Sequence, residues 1–335
     1  MKIAFFDVYP ADEAYVRQHY PDSIIIAEPL SPESVDQAHD ATTISIFVPS
    51  RASKEVLEKL PKLEHIICRS TGYDNVDLEV AHKRKITVCN VPAYGENTVA
   101  EYAFALLLAL ARKLPPAIDQ VRHGAIDHTL LTGVDLMGKT LGVIGTGRIG
   151  THTISIGRGF GMKVIGFDAF QKPELEGQLG FRYVDLDDLL KESDFISLHA
   201  PLTPDTAGMF DASMFKKMKP TALLVNTSRG ELIDTTALVQ ALSTGQIGGV
   251  ALDVIEQENL LEYKQAIGAF SPKASQDIIQ AEAEQALLEK MPNVILSPHN
   301  AYNTAEAVRR IWDTSFANIG ACVNGTPQNV VKTGA

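Results

Sequence analysis

Residues 141–150, Leu-Gly-Val-Ile-Gly-Thr-Gly-Arg-Ile-Gly, constrain this chain more than any other stretch. A short apolar strand runs straight into Gly145-x-Gly147-x-x-Gly150, and the next apolar run, Lys163-Val-Ile-Gly-Phe, closes on Asp168. That order is the sequence form of a dinucleotide-binding βαβ unit. Gly145 permits the tight strand-to-helix turn, Gly147 lets a pyrophosphate approach the backbone, and Gly150 lets the helix pack close to the strand. The helix opening at Arg148 and Ile149 would aim unpaired N–H groups and its positive dipole end at the phosphates. Asp168 stands eighteen residues beyond Gly150, near the spacing at which a carboxylate accepts from a ribose 2′-OH. It would repel a 2′-phosphate, and Ala169-Phe170-Gln171 offers no arginine to hold one. NAD is favoured over NADP.

A chain of 335 residues suits about two domains of ordinary size. Its 45% hydrophobic content is typical of a protein that buries real cores. A net charge of −11 without a basic run argues against a nucleic-acid surface. Cys68, Cys89 and Cys322 are too few and too scattered for a disulfide framework or a metal site, and they read as buried thiols. The N-terminus opens directly on a strand pattern, with no cleavable apolar signal. The longest apolar run, residues 103–111, falls far short of the ~20 residues that span a bilayer. A cytoplasmic protein is expected, with neither nucleic acid nor membrane as partner.

Strand-like runs at 2–6, 23–27, 44–48, 65–68 and 87–88 alternate with helical patterns, and a second series follows at 140–144, 163–167, 195–198, 223–225, 250–252 and 294–296. Such alternation predicts an α/β protein with two doubly wound parallel sheets, of Rossmann or flavodoxin-like type. Because the glycine signature begins mid-chain, residues 1–98 should form one domain and 99–298 the cofactor domain. The helical stretch 304–322 should return to the first domain, making it discontinuous as 1–98 plus 299–335. A helix around 99–112, ended by Pro115-Pro116, would connect the two, and its apolar residues 99–111 would suit a dimer interface. Parallel sheets bind ligands at the carboxyl ends of their strands, which places the active site in the cleft between the domains. The mixed loop and helical stretch 259–290 reads as a solvated surface segment.

Reduction or oxidation by hydride transfer needs a cation for the substrate's charge and a group to move a proton at its oxygen. Three strands of the second series end on such groups: Asn226-Thr-Ser-Arg229-Gly230, Asp253-Val-Ile-Glu256-Gln-Glu258 and Ser297-Pro-His299-Asn300. Each residue alone could be an ordinary polar loop residue. An Arg, a Glu and a His together beside a dinucleotide turn make a catalytic set.

Along nearly its whole length the chain resembles the D-isomer-specific 2-hydroxyacid dehydrogenase family. The glycine turn carries that resemblance, with Leu198-His-Ala-Pro-Leu-Thr-Pro-x-Thr206, Asn226-Thr-Ser-Arg-Gly, the Asp253 to Glu258 segment and Pro298-His299. Within the family it is similar to the NAD-dependent D-lactate dehydrogenases in Met1-Lys-Ile-Ala-Phe-Phe-Asp, Arg69-Ser-Thr-Gly-Tyr-Asp-Asn-Val-Asp77, Asn90-Val-Pro-Ala-Tyr94 and the long segment between Glu258 and His299.

The resemblance implies a division of labour. Arg229 would hold the substrate carboxylate and its neighbouring carbonyl through a planar fork. His299 would protonate that oxygen in reduction and take the proton back in oxidation. Glu258 would orient the imidazole and stabilise its charged form. The backbone N–H groups of Thr71 and Gly72 would cradle the carboxylate, and Tyr94 would contact the substrate. Asp253 would help place Arg229 or the nicotinamide amide, while His199, Ala200, Pro201, Thr206, Thr227 and Ser228 would line the cofactor. A homodimer is expected.

Asn300 stands where many lactate enzymes have Thr, Tyr302-Asn303 replaces a more aromatic stretch, and Phe47 occupies a place where relatives put Tyr or Phe near the substrate side chain. These positions bear on which 2-oxo acid fits. A larger substrate, a branched-chain or aryl pyruvate, is the alternative within the reaction class. Formate dehydrogenases of similar fold usually carry Gln where Glu258 stands. A different class, the NAD(H)-binding transcriptional corepressors, shares the architecture, but this chain lacks the basic or disordered tail that would favour it.

Overall fold

Runs of two to five apolar, often β-branched residues cannot bury themselves, so they pair edge to edge and take their cover from the helices between them. The computed structural model describes residues 2–256 and 276–331. The chain divides into two units, Met1–Tyr94 with Thr304–Ala335, and Gly95–Asn303; the sequence placed these boundaries at 98 and 298.

The first unit runs β1 (Ile3–Phe5), α1 (Pro10–His19), β2 (Ile24–Ile25), β3 (Thr43–Ile46), α2 (Lys54–Glu58), β4 (His65–Cys68), α3 (Leu78–Lys83) and β5 (Thr87–Cys89). Its five strands are all parallel, in the order β2-β1-β3-β4-β5. Ala4, Ile44, Ile66 and Val88 face one core with Val56 and Leu57 of α2. On the other face Ile3, Phe5 and Ile67 meet Trp312, Phe316 and Ile319 of the chain's last helix, Ala305–Val323. Thr304 caps that helix by accepting from the Ala307 N–H at 3.2 Å.

In the second unit come α4 (Glu96–Ala111), α5 (Leu114–Arg122), β6 (Thr140–Ile144), α6 (Arg148–Gly159), β7 (Lys163–Phe167), α7 (Glu174–Leu179), β8 (Arg182–Tyr183), α8 (Leu186–Glu192), β9 (Phe195–Leu198), α9 (Ala212–Phe215), β10 (Leu223–Asn226), α10 (Thr235–Ser243), β11 (Gly249–Leu252), α11 (Gln276–Lys290) and β12 (Val294–Leu296). All neighbouring strands are parallel, in the order β12-β11-β10-β9-β6-β7-β8. The edge strand β8 has no counterpart among the apolar runs, because two residues, one of them Arg182, carry no readable alternation.

Two expectations for the connecting helices are refined. Much of the apolar face of helix α4 is spent inside its own unit: Ala103, Phe104, Leu107 and Leu110 are buried against Leu141, Val143 and Ile154. Pro115 and Pro116 sit in the first turn of a new helix, α5, where a missing N–H removes no intrahelical bond. That helix buries none of its residues, and Leu114, Ile118, Val121, Ile126, Leu130, Val134 and Met137 are exposed along and beyond it. All three cysteines are free and buried, and burial pushes the Cys68 thiol up to about 12. No helix among the described residues is long and apolar enough to cross a membrane.

Candidate active site

Strand register builds this site. Phe167, Ile144, Leu198, Asn226, Leu252 and Leu296 are paired in one row across six strands of the second sheet. The next residue on each strand is therefore Asp168, Gly145, His199, Thr227, Asp253 or Ser297, side by side along the carboxyl edge. The strand order reverses between β6 and β9, the kind of switch point at which open parallel sheets bind ligands.

At that reversal Gly145 has φ +90°, and a Cβ there would stand 2.6 Å from the His199 carbonyl carbon. Gly150 is tighter still, since its Cβ would come within 2.0 Å of the Gly145 carbonyl oxygen. Gly147, the N-cap of α6, has open space where a Cβ would be. Each glycine thus has its own cause: a left-handed turn, a helix pressed on that turn, and an uncovered backbone above the helix N-terminus. Arg148 is exposed and pairs with Glu96 at 3.4 Å, while Ile149 is half-buried.

Asp168 is committed in part to the loop. Its Oδ2 accepts from the Thr146 N–H at 2.7 Å and hydroxyl at 3.1 Å, and Oδ1 accepts from the Phe170 N–H at 2.8 Å. Thr146 also shares a hydrogen bond with the Tyr183 hydroxyl at 2.8 Å. Sequence reading missed Thr146 and Tyr183, because nothing local links residue 146 to 183.

Among the residues expected to line a cofactor, the structure separates two kinds. Thr227 Oγ1 is buried without a partner, an acceptor and donor held at the carboxyl edge of β10. His199 turns its ring inward instead: Nε2 lies 3.0 Å from Thr153 Oγ1 and 2.9 Å from Ser197 Oγ, and burial drops its pKa to about 3. Its imidazole is neutral, with Nε2 shared between α6 and β9 and Nδ1 buried without a partner. Ala200 is buried and Pro201 exposed. Thr206 closes its own turn by donating to Pro201 O at 2.6 Å, and Ser228 ties β10 to β9 by donating to Leu198 O at 2.9 Å.

Arg229 is half-buried, and one Nη donates to Ser228 O at 2.8 Å. Its backbone is fixed by Asn226, which is fully buried. The Asn226 amide donates to Arg229 O at 2.8 Å, and its Oδ1 accepts from the Ser228 N–H at 3.0 Å. The next residue must be glycine: a Cβ on Gly230 would stand 2.0 Å from the Ile255 carbonyl carbon. The Arg229 turn and the chain leading to residue 256 therefore cross backbone to backbone.

His299 is half-buried with φ +49°, a left-handed conformation uncommon for a residue with a Cβ. Its N–H donates to Asp253 O at 2.8 Å. The Asp253 carboxylate completes the hold: Oδ1 accepts from Ser297 Oγ at 2.5 Å and the Asn300 N–H at 2.9 Å, and Oδ2 from the Ala301 N–H at 2.8 Å. Asp253 accordingly positions the histidine loop, not Arg229. Burial raises its pKa above the ordinary carboxylate value, opposed by those donors and by His299. Glu258 lies outside the described residues.

In the first unit Thr71 and Gly72 follow β4. The Thr71 hydroxyl donates to Val91 O at 2.9 Å and its carbonyl accepts from Asn90 Nδ2 at 2.8 Å. Among the described residues neither N–H has an acceptor, which leaves two donors available to an anion. The Tyr94 carbonyl accepts from Arg310 Nε at 2.5 Å.

An uncovered glycine turn, an orphaned hydroxyl and a carboxylate at the end of the second strand fit a dinucleotide such as NAD. A fork-shaped cation after β10 and an imidazole after β12, on turns of the same edge with the β11 turn between them, fit reduction of a carbonyl beside a carboxylate. Comparison with known proteins agrees. The family described as D-isomer specific 2-hydroxyacid dehydrogenase, NAD binding domain, matches residues 104–301. A glyoxylate reductase of Thermococcus litoralis is 40% identical over 306 residues, 89% of this chain and 86% of that protein. Among solved structures, a pyruvate reductase of Chlamydomonas reinhardtii superposes with a TM-score of 0.87 at 33% identity, covering 98% and 97% of the two chains. A D-lactate dehydrogenase of Aquifex aeolicus, solved with NAD and lactic acid, gives 0.85 at 35% identity over 97% and 96%.

Proposed function

Because the chain belongs to the D-isomer-specific 2-hydroxyacid dehydrogenase family, NAD-dependent oxidoreductases acting on CH–OH, we propose that it is a D-lactate dehydrogenase that reduces pyruvate to D-lactate with NADH. The observation that carries this reading is the row of strand ends that sets Asp168, Gly145, Thr227, Asp253 and Ser297 side by side. Relatives named for glyoxylate, pyruvate and lactate support a small 2-oxo acid.

Gly145, Gly147 and Gly150 with the N-terminus of α6 would hold the pyrophosphate, Asp168 the adenosine ribose, and Thr227 and Ser228 the nicotinamide end. Bound NADH supplies the hydride. Arg229 would grip the substrate carboxylate and the carbonyl oxygen together, because its guanidinium presents parallel donors in a fixed plane. The His299 imidazolium would give its proton to the carbonyl oxygen, and neutral imidazole would take it back in oxidation. Glu258 would support the charged ring, and Asp253 keeps the ring's backbone in place. The Thr71 and Gly72 N–H groups, without acceptors among the described residues, would suit a carboxylate, and Tyr94 would contact the substrate. A homodimer accords with the exposed apolar residues from Leu114 to Met137, a larger apolar stretch than scattered surface residues explain. The proposed setting is the cytoplasm.

The experiment is NADH oxidation with pyruvate, glyoxylate and branched 2-oxo acids, followed by chiral chromatography of the product. Preference for pyruvate with D-lactate as product is expected. Preference for glyoxylate or a branched acid would reassign the substrate, and L-lactate would defeat the stereochemical reading.

A further inference from the structure

The first sheet also has a point of reversal, between β1 and β3, where its crevice opens at the carboxyl ends of the strands. Three turns leave that end: Phe6-Asp7 after β1, residues 47–50 after β3, and residues 69–72 after β4. A buried carboxylate and a buried guanidinium stand among them, Asp7 at 6% exposure and Arg69 at 2%. The two are not bonded to each other through their charged groups. Asp7 Oδ2 accepts from the Phe47 N–H at 2.9 Å and Ser50 Oγ at 2.6 Å. Arg69 reaches the other way, donating to Phe6 O at 2.6 Å, Asp7 O at 3.0 Å and Ser45 Oγ at 3.1 Å. Its guanidinium lies 4.5 Å from the Trp312 ring centre and 5.7 Å from that of Phe47. Asn75 braces the same turn, its amide donating to Phe47 O and Ser50 O, both at 3.0 Å.

Burying two charges is a poor way to gain stability, because desolvation offsets the attraction. Two further costs fall on Asp7: φ +53°, a left-handed conformation, and a buried Oδ1 with no partner. Strain and unmet polar groups concentrated on one turn mark a place where geometry matters more than stability.

We propose that Asp7 and Arg69 are positioning residues for the substrate, locking the turns that carry the Phe47 ring and the Thr71 and Gly72 amides so that a 2-oxo acid meets all of them at fixed places. The proposal rests on the functional reading above. Arg69 extends directly into the Ser70-Thr71-Gly72 turn, and Asp7 fixes the backbone on which Phe47 sits. Neither touches the reacting atoms. Loss of either should therefore loosen substrate binding and leave NADH binding alone, since the glycine turn and Asp168 belong to the other unit.

The test compares the parent with Asp7→Asn, Arg69→Lys and the milder Ser50→Ala, measuring KM for the 2-oxo acid, kcat, and NADH affinity by fluorescence. Asp7→Asn keeps an acceptor for Phe47 and Ser50 but removes the charge. Arg69→Lys keeps the charge but loses the fork that spans three acceptors. A KM about tenfold higher or more in both, with kcat and NADH affinity within about twofold, is the expected result. Ser50→Ala, which removes one donor to Asp7, should raise KM by a smaller factor and covers the case in which the charged-site variants do not fold. A merely structural role would lower kcat through loss of active protein while KM stayed put, and that outcome overturns the inference. A parent that turns over no 2-oxo acid overturns the functional reading itself, a failure visible before any variant is made.

Discussion

The His299 N–H donates to the Asp253 carbonyl oxygen at 2.8 Å, and the Asp253 carboxylate accepts the Ala301 N–H at 2.8 Å two residues further on. One residue at the end of β11 thus holds the histidine from both sides, and keeps its φ at +49° against the ordinary preference of a residue with a Cβ. Asp253→Asn would place an amide N–H against either the Ala301 N–H or the Ser297–Asn300 donor pair. Leaving a buried donor unmet costs about 1–3 kcal/mol. The variant should unfold at lower temperature and lose tenfold or more in kcat/KM. NADH affinity near that of the parent would place the damage in the histidine loop; parent-like turnover would remove Asp253 from that role.

Gly230→Ala should be severe for a reason unrelated to chemistry. Its Cβ would meet Ile255 and Glu256 backbone atoms at 2.0–2.4 Å, and no side chain can swing aside. Forced separation of the two segments should cost about 1–3 kcal/mol and displace Arg229 next door. Calorimetry should show a lower Tm together with a raised KM for pyruvate. An unchanged Tm would mean that the two segments separate freely.

Arg229→Lys keeps the charge but exchanges a planar fork for a point charge, so it should not behave conservatively. The expected result is a higher KM for pyruvate with a lower kcat and near-normal NADH affinity. Normal kinetics would take the carboxylate away from Arg229.

Cofactor choice should turn on Asp168. The parent should use NADH far better than NADPH, because the carboxylate repels a 2′-phosphate. Asp168→Ala removes that repulsion, but it also frees Thr146 and Phe170, whose N–H groups Asp168 now holds. Both nucleotides should therefore bind to a looser loop, with the NADH preference reduced and NADH KM raised. Equal kcat/KM for the two nucleotides in the parent would defeat the assignment.

Burial raises the Asp7 pKa above the ordinary carboxylate value, against the opposing pull of Arg69 and its hydrogen bonds. A raised folded-state pKa means that the folded chain holds the proton more tightly than the unfolded chain. Stability from this group is full below the unfolded value of about 4 and is lost as pH rises through the folded one. Asp7→Asn lacks that dependence. Its Tm relative to the parent should rise between pH 4.5 and pH 7, whatever constant offset the lost charge adds. A constant difference would mean that Asp7 titrates alike in both states.

How much of this was legible follows from the range over which each feature acts. Strands β4, β6, β7, β9 and β12 were readable to the residue, since hydrophobic patterning acts over a few neighbours. Helix α11 occupies the C-terminal part of the stretch 259–290, which reads from the sequence as mixed loop and helix. The two-residue β8 was not readable, because its place comes from pairing with β7. The prolines at 115 and 116 were read as the end of one helix when they also begin another.

By itself the sequence determined the two parallel sheets, the glycine turn and the presence of Arg229, Asp253 and His299 just beyond strand ends. Each is written in consecutive residues: apolar runs, a fixed glycine spacing and polar residues directly after them. Tertiary structure alone decided what those residues do to one another. Asp253 could have faced Arg229, but its carboxylate meets Ser297, Asn300 and Ala301, more than forty positions away. His199 could have faced the cofactor, but its ring is enclosed by Thr153 and Ser197. Arg69 and Asp7 gave no local sign of a shared task. A side chain's partner is fixed by strand register and by how closely backbones cross, and both depend on contacts between distant parts of the chain.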